Sequence, residues 1–318
     1  MKITRKLIVA LAFISVFASC SKDDSTDPEP QISQEPEPEQ PEVVVTPKVE
    51  FTDLSISKAL LFTDQAITVT IKGNNFNNVE FTYSDNAAIT STKVNDSIYE
   101  LKSSTSVKSN VIVSLQNGDD VETKSVDVEF VQHGVFQSRI VEGINVDFDG
   151  ASRVLELFGE PDRKQASSSG NFVNWLYLDE GIDFAVTSSS STVTSVFINT
   201  FSRLVNVDGT DSIFRPYPHS INNTFNFSDS ERNGINEVVS SLGQPTFTLE
   251  RGAPFTFPEG TIGFKRETSP PDAENNRRGL YEYVYFYDNN PDNALRFTFF
   301  ADSIDGYQGG LISSITIF

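Results

Sequence analysis

The strongest constraint on the fold of this chain is a helix stop that it writes twice. "LELFGEPD" occupies Leu155–Asp162 and "VSSLGQPT" occupies Val239–Thr246. Each is a short run with helical spacing that closes on Gly, one spacer and Pro. Glycine ends a helix by taking a positive φ, and Pro two residues later forbids continuation. Upstream, "DGASRVLELF" offers Asp149 as an N-cap and places Val154, Leu155 and Phe158 on one side, and "GINEVVSSL" repeats the plan with Ile235, Val238, Val239 and Leu242. Aromatic strands follow both times. "FVNWLYLDEGIDFAV" reads as a hairpin about Asp179-Glu180-Gly181, followed by the strand "TVTSVFINTF". "LYEYVYFYDNNPDNALRFTFFA" reads as a hairpin with a longer turn, followed by "LISSITIF". The unit is helix, Gly-x-Pro, hairpin, strand, and it occurs in tandem, over 132–205 and 206–318. A short helix over a small antiparallel sheet buries one sheet face. The second copy carries an insertion at 252–279, rich in Pro, Gly and charge, which is expected to be a long loop.

Strand alternation assigns faces to the hairpins. With Gly181 as the left-handed residue of a three-residue loop, Leu178 pairs with Ile182. Leu176, Leu178, Ile182 and Phe184 then share one face, and Trp175, Tyr177, Asp183 and Ala185 the other. In the second copy Val284 and Phe286 lie opposite Tyr281, Tyr283, Tyr285 and Tyr287. The aliphatic faces suit the helices. That leaves Trp175, Tyr177, Tyr283 and Tyr285 as a candidate binding face for a protein or glycan. The competing reading is that the modules bury these aromatics against each other or under the 252–279 loop. The Gly159/Pro161 and Gly243/Pro245 stops, with Trp175/Tyr177 and Tyr283/Tyr285, resemble the modules of SmpA/OmlA-type outer-membrane assembly lipoproteins and of β-lactamase-inhibitor proteins. That resemblance implies protein binding without an enzymatic role.

Residues 48–131 read as strands throughout. "AITVTIKGNNF" alternates Ile67, Val69 and Ile71 against polar residues, and "NVEFTYS", "SIYELKS", "NVIVSLQNG" and "ETKSVDVEFV" follow at short, regular spacing. Such spacing fits an antiparallel sandwich. "VTIKGNNFNNVEFT" resembles the core of IPT/TIG domains, an immunoglobulin-like family, which implies a spacer or interaction module. The expected fold class is multidomain and mainly β: an immunoglobulin-like β-sandwich followed by tandem α+β modules, each a short helix packed on an antiparallel sheet.

The N-terminus has a different character. Lys2, Arg5 and Lys6 precede an apolar run too short to span a bilayer, and the small pair Ala18-Ser19 comes just before Cys20. Residues 1–19 are therefore a signal peptide. "FASC" resembles a bacterial lipobox, which implies that Cys20 carries the lipid and anchors the chain to a membrane. Residues 20–47 hold a Pro- and Glu-rich tether that cannot bury apolar area and that reaches roughly 80 Å if extended. Lys22-Asp23-Asp24 resembles the surface-export signal of Bacteroidetes lipoproteins. The implied location is the outer membrane, exposed at the cell surface.

Chemistry is sparse. Cys20 is the single cysteine of 318 residues, which excludes intrachain disulfides and thiolate sites elsewhere. The net charge of −20 repels phosphate backbones and argues against nucleic acid as a partner. His133 and His219 have no second histidine or carboxylate at helical metal-ligand spacing, and no nucleophile, phosphate-loop or dinucleotide motif occurs. The acid pairs Asp147/Asp149, Asp208/Asp211 and Asp288/Asp292 lack calcium-loop spacing and read as capped turns. No catalytic residue, metal or cofactor is expected. "DSI" at Asp96, Asp211 and Asp302 resembles a Bacteroidetes O-glycan acceptor motif, which marks Ser97, Ser212 and Ser303. The expected function is that of a non-enzymatic surface lipoprotein binding a protein or glycan through its C-terminal modules. A periplasm-facing envelope-assembly adaptor is the alternative, and a carbohydrate hydrolase the third reading.

Overall fold

The computed structural model describes residues 47–84, 88–207, 209–227, 234–250, 253–254, 256–269, 279–287, 290–300 and 312–318. Residues 1–46, which hold the expected signal peptide, Cys20 and nearly all of the expected tether, lie outside the described residues, as does Ser303. Pro47–Phe318 forms one compact unit.

The protein is mainly β. Its N-terminal part is a sandwich of eight strands: β1 (Glu50–Ile56), β2 (Leu60–Phe62), β3 (Ile67–Asn74), β4 (Asn78–Tyr83), β5 (Ile89–Lys93), β6 (Ile98–Ser103), β7 (Val107–Asn117) and β8 (Asp120–Val131). One sheet has the order β1-β3-β6-β5 and the other β2-β8-β7-β4, which is an immunoglobulin-like arrangement. The chain crosses between sheets after β1, so that β2 runs parallel to β8. Inward residues alternate as the sequence pattern requires. Ile67, Val69 and Ile71 meet Val111, Val113, Leu115 and Leu101 in a dry core. Strand β2 serves two cores: Leu61 points into the sandwich, whereas Leu60 and Phe62 point into the C-terminal core.

A small meander, β9 (Phe136–Gln137), β10 (Ile140–Val141) and β11 (Ile144–Asn145), leads into α1 (Ala151–Phe158). Strands β12 (Arg163–Ala166), β13 (Phe172–Tyr177), β14 (Ile182–Thr187) and β15 (Val193–Asn199) follow. Next come a separate hairpin, β16 (Arg203–Val207) with β17 (Thr210–Phe214), and helix α2 (Ile235–Leu242). Strands β18 (Phe247–Thr248), β19 (Gly263–Ser269), β20 (Leu280–Tyr287), β21 (Asn290–Phe300) and β22 (Ile312–Ile317) complete the chain.

The two copies are halves of one sheet. Its nine strands run β12-β13-β14-β15-β22-β21-β20-β19-β18, and the copies meet where β15 pairs antiparallel with β22, Val196 opposite Ile317 and Ile198 opposite Ile315. Direct pairing carries one row across six strands: Tyr177, Ile182, Ile198, Ile315, Phe297, Tyr283. Residues in register share a face, so this row and its neighbours form one continuous apolar floor. Val154 and Leu157 of α1 and Val238 of α2 are buried in the same cluster.

Two local expectations are corrected. Asp149 does not cap α1. The N-cap is Gly150, and the Asp149 carboxylate instead accepts the Asn145 amide at 2.7 Å and lies 3.3 Å from Arg153. The stretch 252–279 is not all loop, because Gly263–Ser269 is strand β19, which covers the otherwise open edge of the tyrosine-rich β20. In the order of the sheet, β19 occupies the place that β12 holds in the first copy.

Candidate functional site

The hairpin register reverses the expected faces. Tyr177, not Leu178, pairs with Ile182, because the connection holds four residues instead of three. A shift of one residue sends every side chain to the opposite face. Trp175 and Tyr177 therefore lie on the helix side with Phe184, and Leu176 lies on the far side. Tyr177 is 3%, Tyr283 7% and Tyr285 8% exposed, and Trp175 is half-buried under Lys164, whose Nζ stands 4.5 Å from the ring centre. These four residues are core and core rim, not an open binding face.

Their chemistry explains the placement. The Tyr177 hydroxyl donates to the Gly159 carbonyl at 2.8 Å, and the Tyr285 hydroxyl donates to the Gly243 carbonyl at 2.8 Å. A helix leaves its last carbonyls without intrahelical partners. In each copy a strand tyrosine supplies the missing donor at the glycine that ends the helix. Burial, then Glu160 and Asp162, push the Tyr177 hydroxyl up from its ordinary value, and burial, then Tyr283, raise that of Tyr285. Both stay protonated and able to donate.

The face opposite the helices differs between halves. In the second half Phe264, Val284 and Ala294 pack with Leu249, Ala253, Phe257 and Phe286 in a small cluster of their own. In the first half the β16–β17 hairpin provides the cover. Phe214 is fully buried, and the Arg203 guanidinium stacks on Phe197 at 5.0 Å and on Phe214 at 5.2 Å. The hairpin is tied down at its base: Asn199 Nδ2 donates to the carbonyls of Phe201, Phe214 and Arg215 at 2.7, 3.0 and 2.6 Å. Beside it, burial pushes the Asp183 carboxyl up to about 7 against the opposing pull of Arg203. The Nε atoms of Arg203 and Arg296 are buried without a hydrogen-bond partner among the described residues.

The outer side of this hairpin is unusual. Leu204 and Ile213 pair directly across the strands, and they remain 73% and 56% exposed. They are joined on that side by Asn206 and Asp211, which hydrogen-bond at 2.6 Å, and at the base by the Arg215–Asp179 ion pair at 2.8 Å. The sequence signal for this hairpin is "RLVNVDGTDSIF", which alternates about an Asp-Gly pair.

A buried polar cluster joins the sandwich to the C-terminal part. The Glu142 carboxylate, 0% exposed, accepts the Tyr217 hydroxyl, the Gly134 amide and His133 Nδ1, the last at 2.7 Å. His133 lies face to face between Phe62 and His219, each 3.8 Å away. Neither histidine has a partner at helical spacing in the sequence, and the fold brings them together from 133 and 219. Among the described residues no group of three or more His, Cys, Asp or Glu side chains is placed to hold a metal ion.

Ser97 is exposed in the turn between β5 and β6, next to the Lys93–Asp96 ion pair at 2.8 Å. Ser212 is half-buried in β17 and faces Val205. No helix among the described residues is long and apolar enough to cross a membrane. No known protein family and no curated protein matches this chain.

Proposed function

We propose that this chain is a non-enzymatic, surface-tethered lipoprotein whose C-terminal unit binds a protein partner. Cys20 carries the lipid in the outer membrane, residues 20–47 give reach, and the sandwich, similar to IPT/TIG domains, is the spacer. The observation that carries the reading is the exposed Leu204–Ile213 pair on a hairpin anchored from beneath by Arg203, Phe214 and Asn199. The cross-strand pair leaves most of its apolar surface in water, and burying it in a partner supplies up to about 1.5–3 kcal/mol per side chain, more than the pairing itself gives the hairpin. A preordered hairpin also spends little entropy on binding.

Two experiments test this. Cross-linking on intact cells with the parent and a Leu204→Ser, Ile213→Ser variant should capture a protein only with the parent, while stability changes by less than about 1 kcal/mol. Equal capture by both would remove the hairpin from the interface, and retention on a glycan array alone would redirect the reading to a sugar ligand. Protease treatment of intact cells should release the folded unit. Resistance until lysis would instead support the periplasm-facing adaptor.

A further inference from the structure

We propose, resting on the protein-binding role given to the β16–β17 hairpin, that its partner is a second copy of this chain, packed hairpin on hairpin about a two-fold axis.

The exposed side of the hairpin is complementary to itself. Strand β17 and the residue after it present Asp211, Ile213 and Arg215 in alternation, all three exposed, with an acid two residues before the isoleucine and a base two residues after it. Ser212 and Phe214 between them turn towards the sheet, and Phe214 is fully buried. Across the strands Leu204 stands opposite Ile213, and Asn206 opposite Asp211.

A two-fold axis that lies in the interface and crosses the strands at the Leu204–Ile213 pair lays each β17 antiparallel over the β17 of the other copy. Ile213 then meets Ile213 and Leu204 meets Leu204, so four apolar side chains cover one another. Residues two apart on a strand are separated by about 7 Å, and the axis exchanges its two sides. Asp211 of each copy therefore faces Arg215 of the other. An axis along the strands sets β17 over β16 instead and leaves both charges opposite uncharged residues. Both groups keep capacity for the contact. Asp211 gives Oδ1 to Asn206, and Arg215 gives Nε to Asp179, while a carboxylate has a second oxygen and a guanidinium four further N–H donors.

The face is small, two strands of five residues each, against about 800 Å² per partner in a standard stable interface. The dissociation constant is therefore on the order of 0.1–1 mM. A net charge of −20 opposes the approach of like copies, but physiological salt screens it beyond about 8 Å, and the two Asp211–Arg215 contacts lie inside that distance. Copies tethered to one membrane, as proposed above, meet at a raised effective concentration. The two-fold also closes the contact, so association stops at two copies.

Sedimentation equilibrium tests this on the full chain after the signal peptide, with Cys20→Ser to keep it free of lipid. At about 0.15 M salt and up to about 1 mM protein, the mass should rise towards that of two chains and no further. Leu204→Ser with Ile213→Ser should weaken the association at least about tenfold. Asp211→Arg and Arg215→Asp each set like charges face to face and should weaken it by a similar factor. An equal mixture of those two variants should regain it, because each copy then meets its opposite. A parent that keeps the mass of one chain throughout, growth beyond two chains, or a mixture no stronger than either variant alone overturns the second copy, and the parent measurement decides even if a variant fails to fold. Cross-linking on cells separates this from failure of the binding face itself. A monomeric parent that captures a different protein through Leu204 and Ile213 removes the second copy and keeps the face, whereas a monomeric parent whose capture is unchanged by the serine substitutions removes both.

Discussion

The glycines that close the two helices isolate one energetic term. Gly159 has φ 77° and ψ −160°, and Gly243 has φ 82° and ψ 172°. This is not the left-handed helical well expected of a helix stop. It is the mirror-image extended region, which is open in practice to glycine alone. Each glycine still donates its amide back into the last turn, to Leu155 and Val239 at 2.9 Å. A Cβ built at either site meets nothing within 4 Å. Alanine there introduces backbone strain and no clash. Strain in that region costs about 1–3 kcal/mol, while the stiffer unfolded chain returns about 0.4–1 kcal/mol. Gly159→Ala and Gly243→Ala should each destabilise by about 1–2 kcal/mol, and the double variant by close to the sum, since the helices pack on different halves of the sheet. Urea denaturation followed by tryptophan fluorescence measures this, with the slope expected to stay unchanged because the unfolded surface is the same. Alanine variants within about 0.3 kcal/mol of the parent would mean that these backbone angles are not required, and the account of the Gly-x-Pro stop would fail.

Other consequences follow from the same geometry. Tyr177→Phe and Tyr285→Phe keep the ring and remove the donor to a helix-terminal carbonyl, so each should cost about 1–3 kcal/mol; a neutral result at both sites would show that water replaces the hydroxyl. Phe297→Ala removes a fully buried ring from the shared floor, and a loss of about 3–5 kcal/mol in a single cooperative transition is expected; separate melting of two halves would contradict a shared core. Asp183 is raised to about 7 from 3.8, so the folded state holds its proton where the unfolded chain has lost it. Its contribution is fully present below pH 4 and fades as pH rises through 7. Asp183→Asn should flatten the decline in unfolding free energy between pH 5 and 8, and an unchanged slope would assign that decline to other groups.

Much of the architecture was legible because it rests on local pattern. Alternation in "AITVTIKGNNF" located a sandwich strand, and the two Gly-x-Pro stops located both helices within a residue or two. The faces of the hairpins were not legible, because they turn on whether three or four residues connect Tyr177 to Ile182, and side-chain period cannot distinguish those loops. The pairing of β15 with β22 was hidden for a related reason: a strand that completes its own module and a strand that joins another have the same composition. The polar cluster was least accessible of all. Glu142, Tyr217 and the two histidines are scattered over more than eighty positions, and only the tertiary fold makes neighbours of them.

The aromatic strands also show why amphipathic residues mislead a surface reading. Tyr177 and Tyr285 looked suited to a partner because each joins an apolar ring to a polar tip. Inside the fold that same combination is what a helix end over a sheet demands, since the ring fills the floor while the hydroxyl reaches the carbonyl that the helix leaves unpaired. Both copies solve the problem with the same pair of groups, and this accounts for the recurrence of Gly, Pro and Tyr. Joining β15 to β22 then buries the apolar edges Val196, Ile198, Ile315 and Ile317 that single modules would leave open. With the helix side filled and the central edges paired, the hairpin laid across the other face of the first half still exposes Leu204 and Ile213.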